Sequence, residues 1–133
     1  MKILHVLYSG LGGHGNVFFS MVKADKNKEF EHEALFMGVE ELRGEYSKRC
    51  ADIYIKWGFI KKKQGLDLGF YRKLIAAIRK ANPAVILLHG STAILAAKIA
   101  TWLSGKKQRI ITRETQANQL KTHQDWLWLK TAL

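Results

Sequence analysis

The residues best suited to binding a ligand lie in a glycine-rich stretch near the start of the sequence, SGLGGHGN, residues 9–16. An apolar run precedes this stretch, and apolar residues at helical spacing follow it. Glycine lets the backbone come close to an anion, and the free N–H groups at the start of a helix point towards it. We therefore predict a phosphate-binding turn between a strand and a helix, with these candidate residues: Gly12, Gly13, His14, Gly15 and Asn16.

The glycine spacing is not that of an established nucleotide-binding motif. It is G-x-G-G-x-G from Gly10 to Gly15, which differs from G-x-G-x-x-G and lacks the Lys-Ser/Thr pair of a P-loop. The alternative is a tight turn in which glycine serves backbone geometry alone. In either case Asn16, or Ser9 before the turn, is a candidate cap for the helix that follows.

Two further polar stretches follow apolar runs later in the chain. His89 and Ser91 come after the run AVILL, and Arg113 and Glu114 come after QRIIT. Each run has the composition of a buried strand. Because ligands bind at the carboxyl ends of the strands in open parallel sheets, we expect these residues to converge with the glycine-rich stretch at one edge of a sheet.

The histidines admit more than one role. His89 either hydrogen-bonds a ligand at its strand end or is a structural residue that opens a helix. His14, in the glycine-rich stretch, is the better ligand candidate, and His5, inside the first apolar run, is interpreted as structural. The five histidines show no metal-binding spacing with a carboxylate or with Cys50, and no Ser-His-Asp or Cys-His arrangement is recognisable. We therefore expect neither a metal nor another cofactor.

Charge is distributed unevenly along the 133 residues. The net charge is +11, and residues 53–133 hold fifteen Lys and Arg against three Asp and Glu. So basic a segment indicates an anionic partner, whether nucleic acid, a phosphorylated ligand or an acidic membrane surface; alternatively, it is only a solvated basic face. Because no nucleic-acid motif is recognisable and the basic residues are scattered over several elements, we do not expect nucleic acid as the partner.

The apolar pattern predicts the elements that position these side chains. Strand-like runs alternate with stretches of helical periodicity, which predicts one Rossmann-like α/β domain with a parallel sheet flanked by helices. A single cysteine fits a reducing compartment. Asp67 would cap a helix that Asn82-Pro83 ends. The predicted strands are 3–8, 32–37, 53–57, 84–88 and 108–112, and the predicted helices begin after the glycine-rich stretch and at 40–51, 68–81, 92–103 and 116–133.

Three stretches resemble one known family. The opening KILHVLYSGLGGHGNVFFSMV is similar to the strand, Gly-Gly-x-Gly/Glu loop and helix that begin the N-terminal domain of retaining glycosyltransferases of family 4, the GT-B type. NPAVILLHGSTAILAAKIATWLSGKK resembles that family's proline, apolar strand, histidine and Ala/Leu-rich helix. IITRETQANQLKTHQDWLWLKTAL resembles the helix before the sixth strand in members that build bacterial surface polysaccharides. Together the three stretches cover nearly the whole chain.

The resemblance implies an enzyme that moves a sugar from a nucleotide-sugar, its substrate, to a polysaccharide or lipid-linked acceptor with retention of configuration. Residues 1–133 would be its N-terminal, acceptor-side domain, and the ending on a helix suggests that the chain is cut. The C-terminal, donor-binding domain carries an E-x7-E motif, whereas Glu114 and Asp125 are the only acidic residues after Asp67. That domain would be absent, and the isolated fragment inactive. The stretch Gly12–Gly15 would lie near the donor diphosphate, where N–H groups stabilise leaving-group charge.

The sequence departs from the family after the fifth strand. Many members carry a histidine there, near the reacting sugar, whereas this chain has Arg113 followed by Glu114. Arg113 would grip a phosphate or an acidic acceptor, and Glu114 would accept a hydrogen bond from a sugar hydroxyl; alternatively, both only form ion pairs. The candidate catalytic residues are His89 and Glu114. The candidate substrate-binding residues outside the glycine-rich stretch are His89, Ser91, Arg113 and Glu114.

The expected location is the cytoplasm, either free or at the inner face of an anionic membrane. No apolar run approaches the ~18 residues of a membrane span. Trp57, Phe59, Ile60 and residues 61–63 form a basic-aromatic patch that would suit lipid headgroups, but we favour a surface loop with its apolar members packed inwards. Two rival functions remain: a non-catalytic nucleotide- or phosphate-binding module with the same glycine stretch, and a nucleic-acid-binding domain.

Overall fold

Strands and helices alternate along the chain, as the apolar pattern predicts. The computed structural model describes residues 1–10 and 13–113 and the single residues Leu127 and Lys130. The predicted helix 116–133 therefore lies outside the described residues, those two excepted. The strands are β1 Lys2–Tyr8, β2 Glu31–Gly38, β3 Lys56–Lys61, β4 Val85–Leu88 and β5 Arg109–Thr112; the helices are α1 Gly13–Ala24, α2 Gly44–Asp52, α3 Leu68–Ala81 and α4 Ile94–Ser104.

The strands form one five-stranded parallel sheet in the order β3-β2-β1-β4-β5. The chain builds outwards from β1 in one direction through β2 and β3, and then in the other direction through β4 and β5. The strand order thus reverses between β1 and β4, which makes the crevice at their carboxyl ends the switch point where such folds bind ligands. The predicted Rossmann-like α/β fold is confirmed.

Each face of the sheet carries a hydrophobic core. On one face Leu4, Ile86 and Leu88 pack against the apolar sides of α3 and α4. On the other face Leu7 and Phe36 pack beneath α1 and α2. Because helices cover both faces, successive residues of the central strands are buried on opposite sides, and this accounts for their nearly continuous apolar sequences.

Helix α3 begins and ends at the predicted residues. Oδ1 of Asp67 accepts the N–H of Phe70 at 3.0 Å, which satisfies one of the free N–H groups in the first turn. Asn82 adopts the left-handed conformation, with φ of 47°, and donates its N–H to the Ile78 carbonyl. Pro83 follows and has no N–H with which to continue the helix.

The third strand begins later than the predicted 53–57, so that prediction is wrong. Helix α2 extends to Asp52, and Ile55 then donates its N–H to the Cys50 carbonyl at 2.9 Å. Tyr54 bridges this turn with φ of 56°. The strand propensity of the IYIKW segment is thus overridden by the end of the preceding helix, since tertiary context outweighs the preferences of single residues.

The basic-aromatic patch belongs largely to the edge strand β3 and not to a surface loop. Ile60 is buried in the core beneath α3, and Phe59 packs partly against the core beneath α1 and α2. Trp57 is 40% exposed, and Lys61 pairs with Glu41. Ile60 and Phe59 do pack inwards, as expected. They do so on opposite faces of the sheet, because successive side chains of a strand alternate between its two faces.

Candidate functional site

The carboxyl ends of the central strands bring His14, His89 and Arg113 to one edge of the sheet. His89 donates its N–H to the Val6 carbonyl at 2.9 Å, and Arg113 donates its N–H to the Leu88 carbonyl at 2.8 Å. His14, the second residue of α1, lies with its ring centroid 6.4 Å from that of His89. The three predicted stretches therefore each contribute a side chain at the switch point.

A glycine turn lets α1 approach the end of β4. Gly90 has φ of 129°, a conformation that favours glycine. A Cβ on Gly90 would lie 3.6 Å from Cε1 of His14. Ser91 is buried, and its carbonyl accepts the N–H of Ile94 at 3.1 Å, which begins the turn into α4. The sequence His-Gly-Ser therefore carries the His89 ring beneath His14.

The second half of the glycine-rich stretch, residues 13–16, forms the first turn of α1, whereas Ser9 and Gly10 form a bend after β1. Gly13, His14 and Gly15 are the first residues of that helix. Among the described residues nothing lies within 4 Å of a Cβ built on Gly13, so none of them fills the space beside the helix start. A Cβ on Gly15 would meet the Tyr46 ring at 2.5 Å, so this glycine serves the packing of α1. The candidates Gly12 and Glu114 lie outside the described residues.

The predicted capping roles of Asn16 and Ser9 are wrong. Asn16 lies inside α1, and its Oδ1 accepts a hydrogen bond from Nη1 of Arg49 at 3.1 Å. Oγ of Ser9 donates to the Glu40 carbonyl at 3.0 Å. Both side chains therefore bind segments distant in sequence, because α1 begins earlier than the apolar spacing alone indicates.

A row of hydrogen-bonded side chains runs from the switch point across the face of the sheet that α1 covers. Nε2 of His89 lies 3.1 Å from Nδ1 of His5, and Nε2 of His5 lies 2.9 Å from Nδ1 of His32. Nε2 of His32 lies 3.3 Å from Oδ2 of Asp25. We name these four residues the histidine line. Phe18 of α1 packs edge-on against the His5 ring, with centroids 4.8 Å apart.

Sequence reasoning missed two members of the histidine line. The sequence pattern indicates a structural role for His5, and it gives no signal for His32, at the start of a predicted strand, or for Asp25, in a polar loop. The parallel register pairs Ile3 with His32, which puts His32 and His5 on the same face of neighbouring strands. Only strand register and side-chain alternation together could have indicated this contact.

Burial keeps the inner imidazoles neutral. Removal from water, with the nearby His89 and His32 rings, lowers the pKa of His5 from 6.5 to about 3. Removal from water, with His14 and the positive charge of Arg113, lowers the pKa of His89 to about 4. Both rings are therefore uncharged near neutral pH, since burial penalises the charged form.

The other end of the histidine line carries an ionised carboxylate. Burial opposes the ionisation of Asp25, but hydrogen bonds outweigh it and hold the pKa of this carboxyl below its usual value. Its two oxygens accept the N–H groups of Glu29 and Phe30, both at 3.0 Å, and His32 contacts the same carboxylate. The line therefore joins a fixed negative charge to the switch point.

Asp25 and His32 line a cleft at the far end of the sheet from the switch point. The cleft has a volume of about 830 Å³ and lies between α1, α2 and the start of β2. The Asp25 side chain is 11% exposed there. Arg49 forms part of the wall, with its guanidinium 3.9 Å from the centroid of the Phe19 ring. This cleft gives solvent access to one end of the histidine line.

Two features are not found among the residues that the structure describes. Within 1–10, 13–113, 127 and 130, no group of three or more His, Cys, Asp and Glu is placed to hold a metal ion. No helix of the same described set has the length and apolar character needed to cross a membrane.

Comparison with known proteins identifies the fold and not a sequence family. No family model matches the chain, and no curated protein matches it. The apo form of the lipopolysaccharide outer core galactosyltransferase WaaB is similar in structure over 96% of this chain and 37% of its own, with a TM-score of 0.73 and 19% identity. Anabaena HepE in complex with UDP is similar over 99% of this chain and 35% of its own, with a TM-score of 0.66 and 14% identity.

A third similar structure has a different named activity. It is the UDP-GlcNAc 2-epimerase from Neisseria meningitidis bound to UDP-GlcNAc, similar over 95% of this chain and 35% of its own, with a TM-score of 0.59 and 16% identity. The chain thus spans just over a third of the length of these structures. At such identities the likeness establishes the fold, a Rossmann-like domain matching those of GT-B glycosyltransferases.

Proposed function

We propose that this chain is the N-terminal, acceptor-side domain of a retaining family 4 glycosyltransferase of the GT-B type. The observation that carries the proposal is the similarity to WaaB over nearly the whole chain, combined with the meeting of His14, His89 and Arg113 at the switch point. Because one fold serves many functions, the residues at the site and not the fold alone decide among them.

Each residue of the site has a role in sugar transfer. The stretch Gly12–Gly15, whose residues from Gly13 onwards begin α1, lies near the diphosphate of the donor, where free N–H groups and the helix dipole stabilise developing negative charge. Arg113 binds a phosphate or an acidic acceptor through its planar guanidinium. His89 and Glu114 are the candidate acid–base groups, with Ser91 and Asn16 as further substrate contacts.

The remaining parts of the proposal concern the whole protein. A C-terminal domain of the same protein binds most of the nucleotide-sugar, and the acceptor is a polysaccharide or lipid-linked glycan. The excess of basic residues after Asp52 suits a cytoplasmic enzyme that works at an anionic membrane surface. UDP is the nucleotide to test first, because HepE was solved with UDP.

The test is an assay of the protein expressed from its intact native gene, beside the 133-residue chain, with UDP-sugars and lipid-linked acceptors. We expect the intact product to transfer sugar with retention and the 133-residue chain to show no turnover. Turnover by the 133-residue chain alone would refute the proposal that this chain supplies only one of the two domains that form the active site. An intact product of 15.2 kDa that binds nucleotide without turnover would also refute it.

The alternative is a non-catalytic module that binds a nucleotide or phosphate at the start of α1. Similarity to the Neisseria epimerase favours keeping this alternative, because that protein holds a UDP-sugar on the same fold without being named a transferase. The two proposals differ in the affinity of the 133-residue chain for free UDP. Appreciable binding measured by calorimetry favours the module, and weak binding that becomes strong in the intact product favours the transferase.

A further inference from the structure

We infer that the histidine line is a polarised hydrogen-bond chain in which Asp25 fixes the tautomer of His89. In this tautomer Nδ1 of His89 is free to accept a proton, and the resulting positive charge is carried by His32. Asp25, His32 and His5 are then positioning residues that act through His89. The chemical partner of His89 is an O–H group of a bound ligand, and this identification rests on the proposed sugar transfer. The predicted tautomers of the three histidines do not depend on the proposed function.

The polarity follows from the donor and acceptor capacity of each group. An ionised carboxylate can only accept hydrogen bonds, so Nε2 of His32 must carry the proton that faces Asp25. A neutral imidazole has one donor and one acceptor, so Nδ1 of His32 accepts from Nε2–H of His5. By the same rule Nδ1 of His5 accepts from Nε2–H of His89. Nδ1 of His89 is therefore left with a lone pair.

That lone pair is the unsatisfied end of the chain. His89 is 2% exposed, and within the described residues its Nδ1 has no hydrogen-bond partner. A buried polar atom without a partner is costly, which points to a group that is bound there in the working protein. Because Nδ1 lies beneath the switch point near His14, the donor is a ligand hydroxyl, acting directly or through one water molecule.

Taking up one proton reverses the chain and leaves the charge on His32 beside Asp25, not on the two inner rings, His5 and His89. The ligand O–H gives its proton to Nδ1 of His89, and the oxygen keeps the electron pair. His89 passes its Nε2 proton to Nδ1 of His5, and His5 passes its Nε2 proton to Nδ1 of His32. His32 now holds a proton on both nitrogens beside the Asp25 carboxylate, and the reverse steps return the proton.

The surroundings oppose a positive charge on the inner rings, His5 and His89. Arg113 and His14 face His89 and oppose a positive charge there. His5 meets only the rings of His32, His89 and Phe18 among the interactions described. At the other end, the charged groups lining the cleft with Asp25 and His32 are Lys23, Lys26, Lys28, Glu31, Arg49 and Asp52.

Nitrogen-15 NMR of the 133-residue chain labelled at histidine tests the inference. At pH 7.5 we expect His89, His5 and His32 each to carry the proton on Nε2. On acidification, the step that makes His32 doubly protonated should move the proton of His5 and of His89 to Nδ1 at the same midpoint. Titration of His32 with no tautomer change at His5 and His89 would overturn the inference, as would a proton on Nδ1 of His89 at pH 7.5.

Variants at two carboxylates of the cleft provide the matched comparison. Asp25→Asn removes the fixed acceptor, because an amide can donate as well as accept, and should shift the His89 nitrogen resonances towards a tautomer mixture. Asp52→Asn removes a carboxylate of the same cleft that is not part of the line, and should shift none of them. Unchanged His89 resonances in folded Asp25→Asn would contradict the inference. If Asp25→Asn does not fold, the wild-type titration still decides.

This test is separate from the test of function. The tautomer pattern can be present in a protein that transfers no sugar, in which case only the identity of the hydroxyl donor is lost. Conversely, a working transferase with the opposite tautomer at His89 would retain the proposed function and refute the histidine line.

Discussion

Nε2 of His89 and Nδ1 of His5 lie 3.1 Å apart, although the two residues are separated by 84 positions in the sequence. The contact joins β4 to β1 across the switch point, and Phe18 of α1 packs against the His5 ring. Buried imidazoles that pair with each other link the stability of the fold to the protonation of the site.

Replacing His89 with glutamine should reduce sugar transfer by the intact protein. Glutamine retains hydrogen-bonding atoms but cannot take up a proton, and loss of a general acid or base typically costs about 10²–10⁴-fold in rate. The measurement is kcat and KM with a UDP-sugar. Lys98→Gln, on the exposed side of α4, is the control and should leave both constants unchanged; a similar loss in both variants would refute a specific role for His89.

The chain should lose stability as the pH falls below about 6.5. The pKa of His5 is about 3 and that of His89 about 4 in the folded chain, whereas both titrate near 6.5 when unfolded. Between these values the unfolded chain binds more protons, so the stabilisation is complete above pH 6.5 and is lost progressively towards pH 4 for His89 and towards pH 3 for His5. Each ring contributes a slope of up to about 1.4 kcal/mol per pH unit.

Urea unfolding at a series of pH values measures that slope. His5→Gln should reduce the slope of the free energy of unfolding against pH by up to about 1.4 kcal/mol per pH unit, because one titrating ring is removed. A free energy of unfolding that stays constant between pH 7 and pH 4.5 would show that the two rings are not buried as described.

Gly90→Ala should destabilise the chain and disturb the site. An alanine at φ of 129° is strained, at a cost of about 1–3 kcal/mol, and relief of that strain would shift the turn that holds His89, while its methyl group would make only an ordinary contact with His14. Thermal unfolding and UDP binding are the measurements. Gly44→Ala is the matched control, because its φ is not positive and no described atom lies within 4 Å of the added Cβ; equal losses in the two variants would contradict the strain argument.

The Cys50 thiol should resist alkylation in the folded chain. Cys50 is completely buried, and burial raises its pKa to about 11 although the Arg49 charge opposes the shift. Since the thiolate is the nucleophile, the rate with a thiol reagent at pH 8 should be on the order of 100-fold below that of the unfolded chain. Because Cys50 is the only cysteine, the reagent reports on it alone, and rapid labelling in native buffer would contradict its placement on the buried side of α2.

Tyr54→Gly should stabilise the chain slightly. Tyr54 is 95% exposed and has φ of 56°, a conformation that costs a residue with a side chain about 1–2 kcal/mol. Glycine removes this strain but loses more entropy on folding, at about 0.5–1 kcal/mol. The expected net gain is therefore up to about 1.5 kcal/mol in urea unfolding. A loss of stability would indicate that the Tyr54 ring makes a contact that its exposure does not suggest.

The sequence predicts local features well where one residue type has one physical role. Asp67 caps α3 and Asn82-Pro83 ends it, because a carboxylate accepts free N–H groups and proline has none to offer. The order of strands and helices is also predictable, since helical and strand periodicities differ.

Features that depend on distant contacts could not be predicted. The position of β3 depends on where α2 ends, and Ser9 and Asn16 bind Glu40 and Arg49, to which no local pattern connects them. The sequence does predict that the stretches holding His14, His89 and Arg113 converge, because topology dictates it. It does not predict Asp25 and His32, since only the register of β1 with β2 brings them into line.

The hydrogen bonds between three histidines have a consequence for how this sequence can evolve. Substitution of His5 by an apolar residue would leave nitrogen atoms of His32 and His89 without partners at once, and buried polar groups without partners are disfavoured. The three positions therefore form an epistatic unit. In homologues we expect them to be retained together or replaced together, in a pattern of covariation that crosses three neighbouring strands.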